Sequence, residues 1–286
     1  MITHAPHPPT TLAATATTFG RVLTAYRHSP GLLAITLAAP AGMMLLFGFV
    51  FGGALAGTAD AAAYRSYLTP GVLVLVAAMG LTATASTANA DLNSGLTDRF
   101  RALPLPALSV PAGLALAETL TGGVALVVMS GIGWAAGWRI DATPAEILTA
   151  VALLLLFRFA LSWAGICLGA VIRDEQMLQQ TAPLIFGAVM FSNVFVPTET
   201  MPGPLRAFAE WNPVSAVVAA LRELFGAPGS VAADAAWPLR EPVEASAIWL
   251  SVALVVTVPV VLRQYGSART TTTAAVGRRR VPPTVR

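Results

Sequence analysis

The sequence contains no lysine; all 17 of its basic residues are arginine. A phosphate-gripping loop of the form G-x-x-x-x-G-K-[ST] depends on its lysine to reach the β and γ phosphates. A standard ATPase site is therefore excluded from this chain, and any ATP that drives its work is bound by another polypeptide. Cysteine is nearly absent. The single Cys167 lies in an apolar stretch, which rules out an intrachain disulfide or a cysteine metal cluster and leaves it as a small buried hydrophobe. The three histidines, His4, His7 and His28, precede the first apolar run, so histidine chemistry inside a membrane is excluded as well. Charge is sparse: 11% of residues are charged and 56% hydrophobic, about half the charged share of a soluble domain. An intramembrane enzyme would find no histidine, cysteine pair or carboxylate cluster at helical spacing to use.

Long apolar sequence is what the chain has in plenty. Uncharged stretches cover 30–59, 66–90, 119–138, 176–198 and 245–262, most of them long enough to cross about 30 Å of hydrocarbon as helix. A helix satisfies its own backbone there, as an open sheet cannot. The expected fold class is an all-α integral membrane protein with six spans, near 31–54, 66–89, 108–132, 147–172, 177–197 and 245–262. An even number of spans puts both termini on one side. With that side cytoplasmic, eleven arginines lie inside against five outside, Arg65, Arg139, Arg206, Arg222 and Arg240, in keeping with the positive-inside bias. The first 30 residues lack the pattern of a removable signal peptide, so the first span is expected to stay as a signal anchor.

The pieces outside the spans have their own patterns. In "TTFGRVLTAYRHSP", Phe19, Val22, Leu23 and Tyr26 form one helical stripe with Arg21 and Arg27 off it. Residues 1–30 thus read as a tail and an interfacial helix, separated by Pro30 from the membrane domain of 31–262. The basic tail 263–286 lacks apolar periodicity and reads as disordered, its arginines near anionic lipid headgroups rather than nucleic acid. Trp134, Trp138 and Trp249 sit at outer helix ends, as interfacial indoles or as packing, and Gly165 and Gly169 allow close helix approach.

Three regions carry candidate function. Glu118 in the third span and Arg158 in the fourth each cost about 2.5–3.5 kcal/mol at the midplane. They either pair, or Arg158 snorkels outward, with substrate contact the lesser alternative. An ion- or proton-driven carrier would need midplane carboxylates or inverted repeats, and only these two residues are on offer. The loop "ADLNSGLTDRFRALPLPALSVPAG" mixes charge with Phe100 and Leu103, so it either docks into a soluble motor or is a plain interfacial loop. In "FSNVFVPTETMPGPLRAFAEWNPVSAVVAALRELF", Asn212 caps a helix that Pro213 begins. Val214, Val217, Val218, Leu221, Leu224 and Phe225 form its apolar face, with Arg222 and Glu223 off it. The helix before it has Leu205 and Phe208 on one side and an Arg206–Glu210 pair at i, i+4. Two short helices broken at Trp211–Pro213 suit a re-entrant hairpin within an outer stretch 198–244, a simple interfacial lid being the alternative.

Over nearly its whole length the chain resembles the membrane subunit of type 2 ABC exporters, particularly the daunorubicin-resistance-like drug and lipid export permeases. The likeness rests on "RHSPGLLAITLAAPAGMMLLFGFVFGG", on "NSGLTDRFRALPLP", and above all on "IRDEQMLQQTAPLIFGAVMFSNVFVPTETMPGPLRAFAEWNPVSAVVAALRELF". The resemblance implies a bacterial inner-membrane subunit, multi-pass with cytoplasmic termini, that exports a hydrophobic or amphipathic drug, lipid or natural product. It would pair with an identical or homologous permease half and with two copies of an ATPase subunit, which would hold ATP and magnesium; this chain would carry no cofactor. Within a cytoplasmic coupling loop of 90–107, Gly95, Asp98, Arg99, Phe100 and Arg101 would form the coupling helix. Arg173, Asp174 and Glu175 would be a second cytoplasmic turn. Pro204, Leu205, Phe208, Trp211, Asn212, Pro213 and Leu221 would belong to an outer gate hairpin. Phe47, Phe51, Phe186, Met190 and Phe191 are candidates for the substrate path, with core packing as their alternative. Arg158 matches nothing in the family pattern.

Overall fold

The computed structural model describes residues 11–28, 30–94, 106–226, 232 and 234–266. Gly95, Asp98, Arg99, Phe100 and Arg101 lie outside the described residues, as does the tail beyond Gly266. No strand is present among the described residues. An amphipathic α1 (Thr11–Arg27) leads into α2 (Pro30–Leu45), a π-helical turn (Leu46–Phe51) and the long α3 (Gly52–Asn93). Then come α4 (Ser109–Ala135), α5 (Pro144–Val171), α6 (Glu175–Gln179) and α7 (Thr181–Met190). The last part of the chain forms α8 (Gly203–Trp211), α9 (Pro213–Leu224), the single turn α10 (Trp237–Arg240) and α11 (Pro242–Gly266).

Among the described residues four helical segments are long and apolar enough to cross a membrane: Ala63–Asn93, Ser109–Ala135, Pro144–Val171 and Pro242–Tyr265. The start of α5 shows how sequence sets such an element. Thr143 accepts the Glu146 N–H at 3.3 Å while its own N–H donates to the Glu146 carboxylate at 2.7 Å, and Pro144 occupies the first turn, where no N–H is needed. The α3 span lies centrally, 72% buried, and the α11 span at the periphery, 22% buried.

The first expected span needs a turn to return. Gly48 lies against the Arg65 side chain, which a methyl at that glycine would meet at 3.5 Å, although a straight helix would separate the two residues by about 25 Å. The chain therefore reverses direction between them. The stretch 177–197 is not one helix: α7 stops at Met190, about 15 Å after it starts, and Phe191–Pro197 is non-helical. Its carbonyls are taken by side chains instead. Tyr67 donates to Asn193 O at 3.0 Å, and Arg222 donates to Asn193 O at 2.9 Å and Val194 O at 3.0 Å. Irregular backbone at membrane depth is tolerated only where protein satisfies it in this way.

Packing follows the small residues. Lipid tails are as apolar as leucine, so close contact rather than water exclusion holds spans together. A methyl at Gly165 would sit 2.6 Å from Leu81 O, and one at Gly169 would overlap Ala85 O, so α3 and α5 touch backbone to backbone. α1 does more than lie on a surface: Val22 is buried, and a methyl at Gly113 of α4 would come within 2.7 Å of Thr15 O. Leu23 of the expected stripe stays exposed, while Arg21, off that stripe, pairs with Asp91 at the end of α3. Trp134 is exposed under Arg139, whereas Trp138 is buried edge-on to Phe225, so only the first fits an interfacial indole. Cys167 is half-buried rather than enclosed.

Candidate translocation site

A cavity of about 410 Å³ lies between α2, α3 and the α6–α7 segment. Met43, Leu75, Met79 and Phe186 give it apolar walls, and Thr82, Ser86 and Gln179 bring hydroxyl and amide groups. Leu75, Met79, Thr82 and Ser86 recur along one stripe of α3, and Leu75 to Ser86 covers roughly 16 Å of helix. The polar groups therefore gather at the end nearest the Arg173–Glu175 turn. No lining residue is charged, so the chamber matches an amphipathic molecule better than an ion.

The residues expected on the path separate. Phe186 lines the cavity. Phe47 packs on Phe195, ring centroids 4.7 Å apart, and Met190 packs partly buried against the core. Phe191 is exposed and meets Phe208 edge-on at 6.4 Å. Phe51 falls in the π turn, and its side chain lies outside those described.

The two intramembrane charges meet. Arg158 Nη2 lies 3.2 Å from Glu118 Oε2, with the side chains 4% and 1% exposed. The guanidinium fills a slot made by two glycines, Gly80 and Gly122, where a methyl on either would overlap it. Arg158 therefore does not snorkel outward, and neither residue lines the cavity. Breaking such a pair from one side costs about 3–5 kcal/mol, because the remaining charge stays buried.

On the hairpin side, the Asn212 side chain accepts the Val214 N–H at 2.9 Å, and Pro213 starts α9. The Asn212 amide also donates to Ala188 O at 2.8 Å and Phe191 O at 3.1 Å, which ties the hairpin to the end of α7. Leu221 is fully buried in the core, Leu205 half-buried, and Pro204, Phe208 and Trp211 are exposed. The Arg206–Glu210 pair forms at 2.6 Å, and Arg206 also bonds Asp234. Those hydrogen bonds raise the Arg206 pKa, and the bond from Arg206 holds Asp234 below the usual carboxylate range. Arg222, expected off the apolar face, is buried. Its Nε donates to Tyr67 O at 2.9 Å, and the guanidinium lies 3.4 Å over the Tyr67 ring. Sequence reasoning misses this residue because helical periodicity shows which face is apolar, not what a polar face meets.

At the other end, Arg173, Asp174 and Glu175 are all exposed, and Asp174 caps α6 by accepting the Met177 N–H at 2.7 Å. Asn89 and Asn93, which nothing in the sequence singles out although they sit at the end of an apolar span, bond to this turn.

Among the described residues, four long apolar helices packed through glycine, with opposite charges paired inside the bundle, describe a multi-pass helical membrane protein. The ABC-2 type transporter family model matches residues 14–225, and the chain belongs to that family. It is similar to the daunorubicin resistance ABC transporter permease protein DrrB1 of Streptomyces coeruleorubidus, at 33% identity over 216 residues, 75% of this chain and 76% of that protein. The chain is thus a membrane subunit of an ABC transporter.

Proposed function

We propose that the chain exports a hydrophobic or amphipathic drug, lipid or natural product through the cavity between α2, α3 and α6–α7. The observation that carries this reading is the uncharged chamber with hydroxyl and amide groups at one end, in a chain similar to a drug-resistance permease. The substrate enters at the polar end and leaves past the α8–α9 hairpin, which acts as a re-entrant outer gate after the fifth of six crossings. Both termini face the cytoplasm of a bacterial inner membrane. A second permease half completes the path, and two ATPase subunits hold ATP and magnesium and act on the loop containing Gly95, Asp98, Arg99, Phe100 and Arg101. An ion-driven carrier is not favoured, because Glu118, the membrane carboxylate it would need, is already neutralised by Arg158.

The test is transport by inverted vesicles containing the chain with its ATPase subunit, using daunorubicin as the probe. ATP-dependent accumulation that disappears without the ATPase subunit is the expected result. Accumulation driven by a proton gradient without any ATPase would reject the reading.

A further inference from the structure

α5 ends without the usual devices. Val171 is followed by an extended Ile172, and no basic residue stands in the last turn. Its final carbonyls therefore need partners from elsewhere. α3 supplies them: Asn89, 2% exposed, donates through Nδ2 to Ile172 O at 2.7 Å and at 3.4 Å to Gly169 O. Asn93 donates to Arg173 O at 2.9 Å and to Asn89 Oδ1 at 3.0 Å, which orients the first amide. The residue after Arg173 caps α6, and α6–α7 carry Gln179 and Phe186 on one cavity wall, while Met79, Thr82 and Ser86 of α3 form the facing wall. The two asparagines thus set the spacing of those walls at the polar end of the chamber.

We propose that Asn89 and Asn93 are positioning residues for transport. They yoke the α5–α6 turn to the end of α3, so that a displacement of α3 carries the α6–α7 wall with it rather than parting the two. The backbone contact of Gly165 and Gly169 with α3 keeps α5 on the same rigid path, which gives the coupling a contiguous physical route. The proposal rests on the ATP-driven export reading.

With Cys167 replaced by alanine, Gln179→Cys reports on the polar end of the cavity. Its labelling by a membrane-impermeant maleimide is timed in vesicles holding the chain and its co-purifying ATPase subunit, with and without Mg-ATP. The parent is expected to show a several-fold nucleotide-dependent change in rate. The Asn89→Ala/Asn93→Ala variant should lose most of that change while expression and ATPase co-purification persist. Asn93→Ala alone, at an exposed position, should lose part of it, and it decides the question if the double variant does not fold. A nucleotide response of parental size in the variants overturns the yoke. No nucleotide response in the parent overturns the export reading itself.

Discussion

Arg158 and Arg222 are both buried, yet the two regions that hold them solve the same problem differently. In the middle of the bundle, Arg158 is neutralised by Glu118 from a second helix and slotted between glycines of α3 and α4. Within the hairpin, Arg222 of α9 is solvated by three backbone carbonyls and an aromatic face. The first arrangement replaces hydration by an opposite charge. The second uses the cation to satisfy backbone that a broken helix would otherwise leave bare, so there the arginine serves the fold at least as much as the fold serves the arginine.

The largest expected effect comes from removing the second kind. Arg222→Leu strips partners from Tyr67 O, Asn193 O and Val194 O and is expected to destabilise by more than about 3 kcal/mol, since each hydrogen bond to a charged group contributes about 1.5–3 kcal/mol. Thermal unfolding in detergent and protease cutting within 191–197 measure it; an unchanged melting temperature would remove the distinction between the two sites. For the first kind, Glu118→Gln or Arg158→Met alone should cost about 3–5 kcal/mol, while Glu118→Leu with Arg158→Met should recover most of that. Gly80→Ala should sharpen the point, as its methyl displaces the guanidinium from Glu118 and should be better tolerated once Arg158 is Met. Additive losses in place of recovery would show that the slot, not the charge, is what matters.

The smallest effect concerns the exposed edge of the hairpin. Arg206 depresses the Asp234 pKa, so this link is present above the ordinary carboxylate range and is lost as pH falls through the lowered value. Acidification should produce a slight loss of hairpin stability, read as a small fall in melting temperature in detergent, and Asp234→Asn should remove the part of that fall which the Arg206–Asp234 link contributes.

Much of the helical content is legible from the residues. Thr143, Pro144 and Glu146 mark a helix start, Asn212 and Pro213 another, and long apolar runs mark the spans, because these signals are local in sequence. The family likeness and the Arg206–Glu210 pair are also readable. The fifth span is not. Its composition from 177 to 197 is that of a spanning helix, and it breaks at Met190 because Arg222 and Tyr67, far away along the chain, offer its carbonyls better partners. Arg222 itself reads as a residue of the polar face, and Asn89 and Asn93 give no signal, since an asparagine near a span end looks the same whether it meets water or another helix.

The sequence alone determined that this is a helical membrane protein lacking the standard lysine-dependent phosphate loop. Hydrocarbon demands apolar helices of a set length, and a missing lysine cannot be supplied by folding. Only the tertiary structure decided which polar groups meet: that Glu118 receives Arg158, that Arg222 closes the gap after α7, and that Asn89 and Asn93 end α5. Hydrogen bonds and ion pairs act over a few ångströms in space, and the residues that share them here lie up to 155 positions apart in the chain.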